Sequence, residues 1–210
     1  MWHLIRDVSG RWRHSMFDME LKRYEVLNEL AECGGIVIFG ATEDVKIPIG
    51  ELKQAFAIEE KIYNRSMNGL SVVDAKTIYD VCVAPIVPET LLLHIGENDI
   101  QFFKENAGEF VQRYTQFITH IKSVNETCRI AIVSLRNYEN DDVVKELNLQ
   151  LKYIADSQRC EFADIANPRV WNPKSTMETV SFVYSLGFVR PLKNKRPVYD
   201  LVKIFFMSVI

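Results

Sequence analysis

The chain has 210 residues, of which 48% are apolar and 25% are charged, with a formal net charge of −3. This length suffices for one domain with a full core, and the composition excludes an intrinsically disordered chain. The charge also argues against a nucleic-acid-binding surface, because the one basic run, at 193–196, is typical of a solvated loop. We therefore expect a single globular domain.

The four cysteines are widely spaced and include no Cys-x-x-Cys pair, which argues against a zinc site. Cys82, Cys128 and Cys160 adjoin apolar stretches, which predicts buried free thiols in a reducing compartment. The N-terminus lacks the apolar run of a secretory signal. The stretch 198–210 is too short to span a bilayer and is expected to form a helix packed on the core. A cytoplasmic protein is the resulting expectation.

Apolar residues at three- and four-residue spacing indicate helices, and short continuous apolar runs between turn residues indicate strands. In chain order, the sequence predicts a helix at 15–33, a strand at 36–39, a helix around 49–57, a strand at 61–63, a helix from Ser71, a strand at 90–95, a helix around 107–124, a strand at 129–135, a helix at 141–156 and a strand at 161–165. Five strands alternating with helices predict a three-layer α/β/α sandwich with a five-stranded parallel sheet.

We expect this sandwich to be one domain over 1–210, with an N-terminal helical extension at 1–34. The stretch 166–197 contains four prolines and no clear period, which predicts a loop. Together with the expected C-terminal helix, it forms a divergent segment at 166–210.

Three fragments follow the predicted strands in order. They are Phe39-Gly40-Ala41-Thr42, then Asn64-Arg65 with Asn68-Gly69, then Gly96-Glu97-Asn98-Asp99. In open α/β sheets, ligands bind beyond the carboxyl ends of the strands near the topological switch point. The first and third fragments are expected to meet there.

In their order and spacing, the fragments resemble those of the SGNH (GDSL-type) hydrolases. The resemblance covers about residues 35–165 and implies the SGNH-hydrolase (flavodoxin-like) topology. In that family the first fragment reads Gly-Asp-Ser, with the serine as nucleophile, and an Asp-x-x-His fragment near the C-terminus supplies the base. The resemblance implies three oxyanion donors here, namely the backbone N–H groups of Thr42 and Gly69 and the side-chain amide of Asn98.

The chain departs from this pattern at the catalytic positions. Ala41 and Thr42 replace the family's Asp and Ser, and no Asp-x-x-His occurs anywhere. Thr42 keeps a hydroxyl group, but its β-methyl crowds a strained turn, so a hydroxyl that caps the local backbone is the favoured interpretation. Gly69 after Asn68 is equally typical of a tight turn with positive φ. Asn98 is interpreted as the oxyanion residue in preference to a simple turn residue.

No base is evident among the four histidines, none of which follows residue 120. His94 lies inside a predicted strand, which indicates a core imidazole with a satisfied hydrogen bond. Glu43 is a speculative carboxylate base, and Asp44 beside it could in principle serve the same role. For both carboxylates, the preferred interpretation is a solvated loop or the start of a helix.

Loss of the Ser, Asp and His together favours a non-catalytic or very weakly active relative that binds a small acylated or sugar-like ligand or a protein partner. The alternative is an active ester hydrolase that uses Thr42 with an unconventional base such as Glu43 or a residue of the C-terminal tail. A third hypothesis is a structural subunit, in which Asn98 bonds inward and tail aromatics fill the cleft. The sequence indicates no cofactor, no metal and no nucleic-acid partner, and it allows a homo-oligomer.

Overall fold

In the computed structural model of the chain, residues 17–42, 44–55, 59–137 and 141–166 are described. Their strands form one parallel sheet in the order β2-β1-β3-β4-β5. The strands are β1 (Ile36–Gly40), β2 (Ile62–Asn64), β3 (Thr90–His94), β4 (Arg129–Val133) and β5 (Glu161–Ala163). This is the flavodoxin-like order, and it confirms the predicted α/β sandwich with a five-stranded parallel sheet.

The helices alternate with the strands as the sequence predicts. They are α1 (17–29), α2 (Ile49–Ala55), α3 (Ala75–Cys82), α4 (Ile100–Val124) and α5 (Asp142–Ser157). The predicted first residues of two helices, α3 and α4, are wrong. Helix α3 begins at Ala75, because Ser71–Asp74 form a turn in which the Ser71 hydroxyl donates to Asp74 at 2.8 Å. Helix α4 begins at Ile100, directly after a 3₁₀ turn at Glu97–Asp99.

The main hydrophobic core lies between the sheet and helices α1, α3, α4 and α5. Phe39 and Phe117 pack around Tyr79, whose ring centroid is 6.2 Å and 5.7 Å from theirs. The Tyr24 hydroxyl of α1 donates to Ser66 O at 2.7 Å, which ties the first helix to the chain after β2. Aromatic rings thus fill the space between the sheet and this helical layer.

Several sequence expectations lie outside the described residues, namely Glu43, most of the 166–197 loop, the helix at 198–210 and the first 16 residues of the N-terminal extension. Among the described helices, none is long and apolar enough to cross a membrane. All four cysteines are free; Cys82 and Cys128 are buried as predicted, Cys160 is partly buried and Cys33 is exposed.

Candidate functional site

The fragments that the sequence singles out meet at the carboxyl edge, the side of the sheet where the parallel strands end. Strands β1 and β3 are neighbours, and Gly40 at the end of β1 is paired with His94 at the end of β3. The turns after these two strands therefore lie side by side. The segment after β2 joins them, because Arg65 N donates to Ile38 O and Met67 N donates to Gly40 O.

Thr42 and Gly69 contact each other directly. The Gly69 N–H donates to Thr42 Oγ1 at 3.3 Å. Gly69 has φ +74°, a conformation that side chains rarely adopt, and a Cβ there would meet nothing within 4 Å. Glycine is thus needed for its backbone conformation, and the space beside it is open.

Asn98 and Asp99 both bind the segment that follows Gly69. Asn98 Nδ2 donates to Leu70 O at 3.0 Å, although the residue is otherwise exposed. The buried carboxylate of Asp99 accepts from Val72 N at 3.1 and 3.0 Å. Burial raises the pKa of Asp99 to about 6, against the lowering effect of the Val72 hydrogen bond. The side chains of Asn98 and Asp99 therefore both hold the third fragment against the segment that follows Gly69.

A buried carboxylate–imidazole pair lies below the turn that follows β1. His94 Nδ1 is 3.0 and 2.9 Å from the two carboxylate oxygens of Asp44, and the side chains are only 5% and 3% exposed. The prediction that Asp44 lies in a solvated loop is wrong, although it does begin a 3₁₀ turn at Asp44–Lys46. The prediction of a hydrogen-bonded core imidazole for His94 is confirmed.

Asp44 also holds the turn that carries Thr42. Its Oδ2 accepts from Ala41 N at 3.0 Å. The carboxylate fits only because residue 40 is glycine, since a Cβ on Gly40 would lie 1.8 Å from Asp44 Oδ2. In this chain, a carboxylate three positions beyond Ala41 therefore binds the backbone of the turn.

The charge of this pair follows from its surroundings. Burial alone would lower the pKa of His94, but the charge and hydrogen bond of Asp44 together raise it above its usual range. Arg136 has a weaker lowering effect on this pKa, and Glu97 has a weaker raising effect. The His94 imidazole is therefore protonated over a wider pH range than that of a free histidine.

Two polar side chains after β2 complete the support of the turn. Asn64 Nδ2 donates to Asp44 O at 2.7 Å, and its Oδ1 accepts from Ser66 N at 3.0 Å. The Ser66 hydroxyl accepts from Gly40 N at 3.0 Å. The sequence indicates the Asn64 fragment but neither these contacts nor the Asp44–His94 pair. The pairing of Gly40 with His94 in the sheet was the missing information.

The Arg65 side chain of the second fragment points away from the turn. Its Nε and Nη2 donate to Asn28 Oδ1, both at 3.0 Å, and its guanidinium lies 5.2 Å from the Tyr24 ring centroid and 5.4 Å from that of Tyr63. Arg65 therefore fastens α1 to the sheet. Elsewhere, His120 binds Asp80 at 2.5 Å between α4 and α3. The described part of the chain holds no group of three or more His, Cys, Asp or Glu residues able to bind a metal.

No family model matches the chain, and no curated protein matches it. Solved structures do resemble it. A protein from Streptococcus pneumonia described as a platelet activating factor is 17% identical, with TM-score 0.64 over 78% of this chain and 81% of that one. An acetyl xylan esterase is 13% identical, with TM-score 0.56 over 83% and 96% of the two chains. A GDSL-like lipase from Parabacteroides merdae is 12% identical, with TM-score 0.52 over 85% and 96%. Likeness at this identity concerns the fold.

Proposed function

We propose, from the SGNH-hydrolase-like fold that this chain shares with GDSL-like lipases and esterases, that it is a non-catalytic or very weakly active relative which binds a small acylated or sugar-like ligand at the carboxyl edge of its sheet. Fold alone licenses only the analogy, so the argument for binding without turnover comes from the site.

The main support is the hydrogen bond from Gly69 N–H to Thr42 Oγ1. Acyl transfer needs the hydroxyl directed at a substrate carbonyl and the N–H directed at the developing oxyanion. Here the two groups bind each other. Because Gly69 has a single N–H, a substrate oxygen competes with Thr42 for it.

A second support is that no histidine of the described ranges is hydrogen-bonded to Thr42 Oγ1, which there contacts Gly69 N–H. The His94 side chain is only 5% exposed, and His120 binds Asp80 on the helical layer. The sequence contains no Asp-x-x-His fragment. A threonine hydroxyl is a weak nucleophile at its ordinary pKa and requires a neighbouring base.

Asn98 is the group best suited to hold a ligand. Its amide has two N–H donors, of which one goes to Leu70 O, and the residue is exposed. The remaining donor suits a carbonyl or hydroxyl oxygen, as found in an acetylated sugar. One structural neighbour is an acetyl xylan esterase, which makes acetylated xylobiose a sensible first probe. A protein partner or a homo-oligomer is the runner-up use of this edge.

The test compares wild type with Thr42→Ala and Asn98→Ala, and Thr119→Ala on the exposed side of α4 serves as a matched control. Two measurements are made, namely hydrolysis of short- and medium-chain acyl esters and calorimetric binding of acetylated xylobiose. We expect binding that Asn98→Ala weakens about tenfold, with at most a trace ester rate that Thr42→Ala leaves unchanged. No binding by wild type would refute this ligand class.

The alternative function is an active ester hydrolase, and the Asp44–His94 pair is the observation that favours it. A carboxylate bound to imidazole Nδ1 is the arrangement that orients a catalytic histidine. On this alternative, wild type turns over esters, Thr42→Ala lowers the rate about 10³-fold or more, and Thr42→Ser keeps it. The speculative base Glu43 would then be tested by Glu43→Gln.

A further inference from the structure

Helix α1 carries apolar side chains on two opposite faces. Its inner face packs on the core through Phe17, Leu21 and Tyr24, which follow at four- and three-residue spacing. An α-helix turns by about 100° per residue, so these three side chains lie on one side of the helix. The core contacts therefore account for only one of the two apolar faces.

The outer face of α1 carries a second apolar group. Met19, Val26 and Leu30, the last directly after the final helical turn, are 70%, 58% and 80% exposed. At about 100° per residue they lie within about 40° of one another, roughly opposite the inner face. Leu27 beside them is also exposed. These four residues form the outer stripe.

The outer stripe stands out from the other exposed apolar side chains of the described residues. Nine large apolar side chains are exposed there, and the stripe supplies four of them, whereas the other five are spread over α4, α5 and the turns on either side of α3. Scattered apolar residues are normal on a surface, but a contiguous patch marks a contact surface. A second structure is therefore expected to cover the outer stripe.

The charges beside the outer stripe indicate what covers it. Lys22 and Glu29 are both exposed and lie two turns apart along the same side of the stripe. Among the described residues, neither of them has an ion-pair partner. On the other side, burial raises the pKa of Glu20 and the charge of Arg23 lowers it, so Arg23 already has an acidic neighbour on its own helix. The side with Lys22 and Glu29 is thus a charged border with one group of each sign.

We propose that the outer stripe is a dimer interface, on which α1 of a second copy of the chain packs in the antiparallel direction. A two-fold axis between positions 24 and 25 brings Met19 of each copy beside Leu30 of the other. Lys22 of each copy then lies within about 3 Å, along the helix axis, of Glu29 of the other. One border therefore supplies two symmetric pairs of opposite charge, as an interface between identical surfaces requires.

The direction and the size of this interface follow from the same residues. A parallel pair would bring Lys22 to the height of Lys22 and would leave it about 10 Å from Glu29 along the axis. Helix α1 has 13 residues and is about 20 Å long, so the buried area is at the small end of specific interfaces. We therefore expect a weak dimer, with a dissociation constant of about 10 μM.

The first experiment exchanges charges in the full-length protein and measures association by sedimentation equilibrium. Lys22→Glu alone and Glu29→Lys alone should each weaken the dimer about tenfold, because each turns two attractive pairs into repulsive ones. An equimolar mixture of the two variants should associate as tightly as wild type, since opposite charges then meet again. Lys152→Glu, which makes the same charge change on the exposed side of α5, should leave association unchanged. Single variants that associate like wild type, or a mixture that stays as weak as they are, would overturn the proposal.

The second experiment separates a second copy from other coverings of the stripe. Leu30→Asp should abolish the dimer and leave the urea midpoint of the monomer unchanged, with Leu149→Asp on α5 as the matched exposed control. A wild-type protein that stays monomeric at about 500 μM would show that the stripe is no dimer interface. A monomeric wild type whose urea midpoint falls in Leu30→Asp but not in Leu149→Asp would also overturn the proposal, because residues of the same chain then cover the stripe.

Discussion

Replacing Gly40 by alanine should disrupt the Asp44–His94 pair although neither Asp44 nor His94 is substituted. A Cβ at position 40 would lie 1.8 Å from Asp44 Oδ2 and 2.7 Å from Asp44 Cγ. Real side chains do not approach so closely, and His94 O at 3.0 Å limits movement of the backbone. The Asp44 carboxylate must therefore move, which disrupts its bonds to Ala41 N and His94 Nδ1.

The expected cost is large for a single methyl group. Breaking a buried ion pair costs about 3–5 kcal/mol, because it leaves an uncompensated buried charge. The loss of backbone freedom in the unfolded chain offsets only about 0.4–1 kcal/mol of this. We therefore expect Gly40→Ala to lower the free energy of unfolding by about 3 kcal/mol, measured by urea denaturation followed by circular dichroism.

Two variants make the prediction specific. Gly108→Ala in α4 meets nothing within 4 Å, so it should leave stability unchanged or raise it by up to about 1 kcal/mol. Asp44→Ala removes the atoms that clash, so Gly40→Ala should cost little in that background. Additive effects of Gly40→Ala and Asp44→Ala, or a Gly40→Ala variant as stable as wild type, would refute this account of the turn.

Two further predictions concern pH. Because burial raises the pKa of Asp99 from 3.8 to about 6, its stabilising contribution is complete at low pH and is lost as the pH rises through about 6, by about 3 kcal/mol in total. The unfolding free energy of Asp99→Asn relative to wild type should rise by most of this amount between about pH 4 and pH 7, and a flat difference would contradict a raised pKa of the buried Asp99 carboxyl group. Burial lowers the folded-state pKa of His94, but Asp44 raises it by more, so the net shift is upward. The stability that His94 contributes is therefore fully present below its unfolded pKa and is lost as the pH rises through its folded pKa. Nitrogen NMR titration should give a His94 pKa above 6.5 in wild type, and Asp44→Asn should bring it below 6.5, since burial then dominates; an unchanged pKa would show that another group sets it.

The sheet could be predicted because its central strands β1, β3 and β4 are short, mostly apolar runs bounded by turn residues. The start of α4 was predicted seven residues late, although its signal is present in the sequence. Ile100, Phe103, Ala107 and Phe110 keep the three- and four-residue spacing and pack on the core, on both sides of the non-helical Asn106, which has φ −147° and ψ 62°.

The residues of the candidate site that follow strands could be predicted from the sequence. The burial of Asp44 could not, because it depends on contacts between residues far apart in the chain. Thr42, Gly69 and Asn98 follow three strands, so the topology is enough to bring them to one edge. Asp44 looks like a surface residue locally, because nothing in its neighbours reveals a partner 50 positions away. Its burial depends on the pairing of Gly40 with His94 and on the space left by the missing Cβ of Gly40.

These contacts suggest that support of the turn and chemistry at the turn are separable in this fold. The backbone of the turn is fixed by Asp44, Asn64 and Ser66, none of which has to react. The backbone of the turn therefore does not depend on the side chain at position 42, whose hydroxyl contacts Gly69 N–H. On the proposed function, binding requires only positioned donors, whereas turnover would also require an activated nucleophile.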